Sequence, residues 1–470
     1  MRHDKNYFFI GAGGIGMANL VRYFLAMGCK VAGYDRVRSE LSRRLEQEGA
    51  EIIYTDDPSL IPEKYLDREQ TEVVYTPAIP STNKIITYYR DHGFELHKRA
   101  WVLGEITRAM KGICVAGSHG KTTTSSMIAW IMEQTPEGVN AFLGGILRNV
   151  DSNLIISPKS DYAVVEADEY DRSFHQLTPW IAVITSADAD HLDIYGDEEH
   201  YLEAFSHFTS LIRPGGALLM HTGLKVKPAT ADGVRVYYYN VTAEGCGRRP
   251  DWFAENLQFR EGELLFDLVG PEGFRVDQIS LGVPVEINVD NAVAAGAAAY
   301  YAGADAEQIR RGLETFKGAK RRFEIILHGA KDNARAVLID DYAHSPAEIS
   351  ASIRSIRKLY PGKKITVVFQ PHLYTRTRDF APEFAEALNE ADTAWLTEIY
   401  PARELPIPGV TSEIILDRMS ADRALINRTD LLNKIKITNF DILITLGAAD
   451  LDVLLPEIAE ILKRDVESDS

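Results

Sequence analysis

Cysteine is scarce: the 470-residue chain has three, at positions 29, 114 and 246, and no two form a C-x-x-C pair. That spacing excludes a disulfide scaffold and a zinc finger. It suits a reducing compartment, so a cytoplasmic location is expected. Long apolar runs are missing as well, and no stretch approaches the roughly 18 apolar residues of a membrane span. The opening MRHDKNYFFIGAGGIGM holds an apolar run too short and glycine-broken for the core of a signal peptide, so none is expected. Positive charge is in deficit, with a formal net charge of −17. Nucleic acid and anionic membranes are therefore not expected as partners, and a phosphate-rich substrate must be met by local basic loops. Low-complexity tracts and internal repeats are also lacking. An ordinary globular composition remains, with a length suited to about three domains.

What is present is a succession of short apolar, β-branched runs separated by helical patterns. Residues 6–35 read as strand, glycine turn, amphipathic helix and strand, followed by a strand at 71–79 and a helix at 101–110. A second block opens with the strand GICVA at 112–116 and continues through 161–169, 180–193, 198–212 and 216–221. After a strand-rich, less regular region it closes with helices at 288–303 and 306–316. A third block has strand patterns within 336–350 and at 364–370, 393–399 and 441–447. Such alternation predicts parallel α/β sheets.

CVAGSHGKTTTSS, at 114–126, resembles the phosphate loop G-x-x-x-x-G-K-[ST] but is shorter, because Val115 stands where the first glycine belongs. The flanks favour a phosphate site. An apolar strand precedes the loop, and Met127, Ile128, Ile131 and Met132 share one face of the helix that follows. Free backbone N–H groups and the positive helix end then point at a phosphate. Lys121 is expected to reach the β- and γ-phosphates and the Thr122 hydroxyl to touch Mg²⁺. The alternative is an ordinary helix start capped by Ser and Thr.

GAGGIG, at 11–16, satisfies G-x-G-x-x-G after a strand, and Asp35 follows near the position of a ribose-binding acid. The motif specifies a pyrophosphate on a helix N-terminus and does not name the base, so an NAD-dependent oxidoreductase stays open on mechanism alone. A tight βα turn that needs glycine for packing is the plain reading. VVEADEYDRSF (164–174) ends an apolar strand in Glu166, Asp168, Glu169 and Asp171, oxygen donors of the kind Mg²⁺ takes. SADADHLDIYG (186–196) ends another strand with His191 among three acids. Asp341 and His344 in DDYAHSP, and His372, Arg376 and Arg378 in FQPHLYTRTRDF, follow apolar strands too. The arginines there suit carboxylate or phosphate recognition.

These motifs are joined by YTPAIP, KRAWVLGEI, NVDNAVAA, KRRFE and YPARELPIPGVTS. In this order and over nearly the whole chain, they resemble the Mur ligase family, whose usual phosphate loop has the short form G-x-x-G-K-T. The resemblance implies three α/β domains: a Rossmann-like UDP-binding domain (1–109), a central P-loop ATPase domain (110–319) and a C-terminal Rossmann-like domain that binds the amino acid (320–470). It implies an ATP- and Mg²⁺-dependent ligase of cytoplasmic peptidoglycan precursor synthesis, a monomer or weak homodimer. FHQLTP and SADADHLD favour members that join L-alanine to UDP-N-acetylmuramate over members that attach a whole peptide to the same sugar. A non-catalytic nucleotide-binding regulator is a further alternative.

Carried over residue by residue, the resemblance assigns catalysis to Lys121, His191, His344 and Arg376. Nucleotide binding falls to Gly117, Ser118, His119, Gly120, Lys121, Thr122, Thr123, Asn288, Asn291, Arg322 and Asp341. Gly13, Gly14, Ile15, Gly16, Asp35 and His372 are assigned to substrate, and Thr122, Glu166 and His191 to the metal. The chain departs from the family pattern at Ile287, where a histidine is usual, and at Leu373, Ser345 and Ala449, where arginine, histidine and glycine are common.

Overall fold

Apolar runs without polar alternation make strands buried on both faces, and such strands pair in parallel with helices covering each side. The computed structural model describes residues 5–76, 79–188, 192–243, 248–260, 263–402 and 404–464. Its first sheet contains β1 (Asn6–Ile10), β2 (Val31–Tyr34), β3 (Glu51–Ile53), β4 (Thr71–Tyr75) and β5 (Leu96–Lys98). The order is β3-β2-β1-β4-β5, all parallel. Strand order reverses beside β1, and the glycine turn leaves its carboxyl end there, the usual ligand position in an open α/β sheet.

The second sheet is built from β6 (Lys111–Ala116), β7 (Asn140–Leu147), β8 (Ser152–Ile155), β9 (Tyr162–Glu166), β10 (Ile181–Ile184), β11 (Ala217–His221) and β12 (Arg235–Tyr239). Its order is β12-β11-β10-β6-β9-β7-β8, parallel except for the β7–β8 edge pair. The central strand β6 therefore has the acid-ended β9 on one side and β10 on the other. The less regular region after 222 forms a three-stranded sheet of β13 (Phe253–Arg260), β14 (Glu263–Val269) and β15 (Arg275–Ser280).

The last sheet holds β16 (Glu324–His328), β17 (Val337–Asp341), β18 (Ile365–Phe369), β19 (Thr393–Leu396), β20 (Asp422–Leu425) and β21 (Ile442–Leu446). Its order is β16-β17-β21-β18-β19-β20, with only the β16 edge antiparallel. The expected α/β class is thus the observed one.

The chain divides into two compact units. The first gathers the chain up to Glu255 with Asp267–Ile279 and Asp290–Lys317, and the second holds Asn256–Phe266, Ser280–Val289 and the chain from Gly318 on. In the first unit one apolar core runs from Phe24 and Leu103 beside the first sheet to Phe142, Phe174 and Phe205 beside the second. Phe8, Tyr65 and Tyr89 fill the other face of the first sheet. In the second unit Leu338, Val368, Trp395, Leu443 and Ile458 pack together. Among the described residues no helix is long and apolar enough to cross a membrane.

Candidate active site

The short phosphate loop is shaped by its two glycines and tied down by the end of β10. Gly117 has φ +146, and a Cβ on it would lie 2.1 Å from Thr185 Oγ1. Gly120, at φ +79, is the left-handed residue that starts the helix Lys121–Met132. Both positions exclude an ordinary side chain. Thr185 donates to the carbonyls of Ala116 (3.1 Å) and His119 (2.5 Å), and the His119 N–H donates to Ser186 Oγ at 2.7 Å. Ser118 donates to the Asp188 carbonyl at 2.6 Å. Thr123 is half-buried in the first helical turn. From behind, Thr124 donates to Asn291 Oδ1 at 3.0 Å.

The loop lysine is held by an acid. Lys121 Nζ donates to Gly117 O at 2.5 Å and to both carboxylate oxygens of Glu169, at 2.7 and 2.9 Å. Glu169 is only 2% exposed. Burial pushes its carboxyl above the usual range, and the Lys121 ammonium opposes that rise. Beside it, Thr122 Oγ1 donates to Glu166 at 2.9 and 3.1 Å, and the Gly144 N–H donates to the same carboxylate at 3.1 Å.

A hydroxyl and a carboxylate at the helix start form a hard-oxygen pair that fits Mg²⁺, which takes one or two carboxylates and completes its shell with phosphates and water. His191, the third expected metal residue and an expected catalytic one, lies outside the described residues.

Part of the glycine turn expected to meet substrate and the carboxylate expected to meet the metal line one cavity. Its volume is about 330 Å³, and its lining includes Gly14, Ile15 and Gly16 on one wall, Glu166 and Asp168 on another, and Arg99. Asp35 faces the turn as well: its two oxygens accept from the N–H groups of Gly13 (2.8 Å) and Val37 (3.0 Å). It also lines a second cavity of about 400 Å³ with Tyr34, Arg36, Asp56 and Asn83. Arg99 lies 3.6 Å from Asp168, and a Cβ on Gly16 would come within 2.7 Å of its guanidinium. Lys98 pairs with Asp171 at 2.6 Å.

In the second unit Asp341, His344, His372 and Arg376 lie at or just beyond the carboxyl ends of β17 and β18, whereas Asn288 is on the helix Glu286–Tyr301. Asp341 is buried, accepts from the Ser352 hydroxyl, and has its carboxyl pushed up by that burial. Burial likewise holds the His344 imidazole below its ordinary value, against the raising effect of Glu348. His344 Nδ1 is 3.3 Å from Glu348, which also accepts the His344 and Ser345 backbone N–H groups. Ser345, where the family often has histidine, is the N-cap of the helix Pro346–Leu359 and completes a capping box with Glu348. The rings of His344 and His372 lie 6.5 Å apart, and His372 stacks on Tyr400 at 5.9 Å. Arg322 lies over the Tyr342 ring at 5.0 Å. Arg376, on the helix Tyr374–Asp379, bears on His344 by charge. Asn288 donates to the Val283 carbonyl at 3.3 Å. Leu373 has φ 72, a conformation that side chains other than glycine rarely adopt.

Sequence reasoning gave no role to Arg99, Gly144, Thr185, Glu348 or Arg321, and left Glu169 in an undifferentiated acid cluster. Arg99 carried a signal. With Lys98 it puts two cations at the N-terminus of the helix Arg99–Ala109, where the helix dipole disfavours them.

Three family descriptions match the chain: the Mur ligase family catalytic domain over residues 6–111, the Mur ligase middle domain over 115–299 and the Mur ligase glutamate ligase domain over 321–449. The UDP-N-acetylmuramate–L-alanine ligase of Parabacteroides distasonis is 51% identical over 460 residues, covering 98% of this chain and 97% of that protein. The ligase of the same name from Phocaeicola vulgatus is 51% identical over 462 residues, covering 98% of each. In fold the chain is similar to the crystal structure of the UDP-N-acetylmuramate–alanine ligase of Thermotoga maritima, with a TM-score of 0.79 and 24% identity, over 99% of this chain and 100% of that one.

Proposed function

The chain belongs to the Mur ligase family, and from that premise we propose that it joins L-alanine to the lactyl carboxylate of UDP-N-acetylmuramate at the expense of ATP. The observation that carries the reading is the cavity whose walls bring the anion-binding glycine turn and Arg99 to Glu166, the carboxylate hydrogen-bonded to the phosphate loop. A substrate with a diphosphate at the turn and a carboxylate toward the loop suits it. The wider reading is a cytoplasmic enzyme of peptidoglycan precursor synthesis, monomeric or weakly dimeric.

A carboxylate is a poor electrophile, so it is activated first. One of its oxygens attacks the γ-phosphorus, ADP leaves, and an acyl phosphate forms. The nitrogen of L-alanine then attacks the acyl carbon, and phosphate departs with the bridging oxygen as the amide forms. Phosphoryl transfer asks for position and charge neutralisation rather than covalent help from the protein. We assign Lys121 and the backbone amides of Gly117–Thr123 to the ATP phosphates. Asn288, Asn291, Arg322 and Asp341 are assigned to the rest of the nucleotide. Gly13–Gly16 and Asp35 take the UDP portion, and His372 and Arg376 take the substrate carboxylates. Thr122, Glu166 and His191 would hold Mg²⁺, which supplies charge neutralisation at the phosphates. His344, kept neutral by burial, is a base for the ammonium proton of L-alanine, with His191 as the other imidazole able to serve.

The test is ATP consumption with UDP-N-acetylmuramate, with and without L-alanine, alongside assay of the amide product. Turnover that depends on both substrates is expected. Equal turnover with a tripeptide in place of L-alanine would move the reading to the peptide-attaching class, and no ATP turnover would remove it.

A further inference from the structure

Residues 166–171, EADEYD, touch both groups of substrate contacts with different side chains of one short stretch. Glu166 and Glu169 face the phosphate loop, accepting from Thr122 and Lys121. Asp168 and Asp171 face the basic pair at the start of the helix Arg99–Ala109, lying 3.6 Å from Arg99 and 2.6 Å from Lys98.

On the loop side, all three ammonium protons of Lys121 are taken, one by Gly117 O and two by Glu169. A triphosphate that takes the two protons held by Glu169 does so in competition with that carboxylate. On the other side, an anion entering the cavity at Arg99 meets a guanidinium that already has Asp168 beside it. The two competing carboxylates lie two and three chain positions beyond Glu166 and are adjacent to one another, on backbone that is closely tied. The Phe174 N–H bonds Asp168 O at 2.9 Å, and the Tyr195 hydroxyl bonds Glu169 O at 2.5 Å. Immediately beyond, Asp171 and Arg172 sit at φ 51 and 53. Two successive non-glycine residues in the left-handed region keep that conformation only while their surroundings hold them.

We propose that this segment couples the UDP-sugar and ATP sites. Resting on the function proposed above, the inference is that each anion displaces one of two neighbouring carboxylates and so shifts the shared backbone toward the arrangement the other anion needs. A ligand moves a conformational equilibrium only by its differential interaction with the two states, and here the displaced ion pairs provide that difference. UDP-N-acetylmuramate and ATP therefore tighten each other's binding before L-alanine arrives, by the same factor in either order.

Calorimetry on the full chain tests this, with Mg²⁺, UDP-N-acetylmuramate and the non-hydrolysable β,γ-imido analogue of ATP, each titrated alone and then with the other saturating. A factor of about tenfold is expected in the wild type, within the usual range of site-to-site coupling. It is expected to fall close to one in Asp168→Asn and in Glu169→Gln. Asp168 is half-exposed on the Arg99 side, so its variant keeps the fold and still has to change how the ATP analogue responds to the sugar. A factor of one in the wild type, or the wild-type factor retained in either variant, overturns the coupling. If UDP-N-acetylmuramate gives no binding either alone or with the ATP analogue saturating, the functional reading fails and this inference falls with it. Binding of both ligands without coupling removes the inference only.

Discussion

The ammonium of Lys121 lies 2.7 and 2.9 Å from the two carboxylate oxygens of Glu169, a residue 2% exposed. The phosphate-loop lysine is thus half of a buried ion pair, and its removal has two separable consequences. Lys121→Ala takes away the cation assigned above to the transferring phosphoryl group. Turnover is expected to fall about a hundredfold or more, as for loss of a preorganised donor to developing charge. It also strands Glu169, at a cost of about 3 kcal/mol, as for other broken buried pairs. Adding Glu169→Gln is expected to restore much of the melting temperature and none of the turnover. Recovery of activity in the double variant would take Lys121 out of the chemistry.

The glycine turn offers a second test. Gly13 donates to Asp35, and a Cβ on Gly13 would lie 2.9 Å from the Asp35 carboxylate. Gly13→Val therefore pushes Asp35 out of place and crowds the turn. Calorimetry is expected to show UDP-N-acetylmuramate bound at least about tenfold more weakly, about the contribution of one hydrogen bond. NAD is expected to give no binding in either protein. Tight NAD binding without UDP-sugar binding would reverse the assignment of this motif.

The central strands were legible because their residues are apolar on both faces, as in VVE at the end of β9 and VLIDD in β17, and the acids at their ends mark where the core stops. The shortened loop was legible through its flanks. Partners were not. Lys121 and Glu169 are 48 residues apart, and they meet because β9 lies next to β6, a fact of strand order that no local pattern encodes. The region of the sheet β13–β15 was read as strand-rich and less regular, without its separate strands. Several of its positions are exposed or half-buried, such as Asp277 and Gln278, so they lack a continuous apolar signal. Arg321 and Arg322 are neighbours with one chemistry, and the backbone alone separates them: φ 61 at Arg321 turns it into the sheet end.

The order of bond making is open to isotope labelling. If the sugar carboxylate attacks the γ-phosphorus, UDP-N-acetylmuramate labelled with ¹⁸O in its lactyl carboxylate passes one label into the phosphate released. Asp341→Asn keeps the size of a buried side chain that accepts from Ser352. It is expected to slow label transfer while leaving UDP-sugar binding intact. Unlabelled phosphate beside normal amide product would mean that water or the enzyme receives the phosphoryl group.

With His344 as the proposed base, the pH dependence of the second step follows from its surroundings. Burial lowers its pKa, Glu348 raises it, and the positive charges of Arg376 and Arg322 lower it further. The imidazole is therefore neutral at pH 7, and the acid limb of kcat/KM for L-alanine is expected on the acid side of the usual imidazole value. Glu348→Gln keeps an oxygen for the backbone N–H groups and removes the charge that favours the imidazolium. The limb is expected to move to lower pH in that variant. A limb that stays in place identifies another group as the base.

Arg321 yields a stability prediction whose size depends on pH. Its guanidinium donates to the carbonyls of Ala449 and Gly447, both at 2.6 Å, and to Asp340 at 3.3 Å. Asp340 is 1% exposed, and burial pushes its carboxyl up to about 6, while Thr445 and Arg321 hold it down. A carboxyl raised above its unfolded value stabilises the folded chain at low pH, and that contribution is lost as pH rises through about 6. Without Arg321 the folded value rises further, so charging Asp340 costs more. Arg321→Met is expected to melt below the wild type at every pH, because two carbonyls lose their donor. The gap is expected to widen from pH 5 to pH 8, reaching about 3 kcal/mol as for other broken buried pairs. Arg321→Lys is expected to recover little, since one ammonium cannot span two carbonyls and a carboxylate as the planar fork does. Melting curves at pH 5, 6, 7 and 8 decide the matter. A gap that stays constant across them would mean that Arg321 serves the loop carbonyls alone and leaves the charge of Asp340 to Thr445.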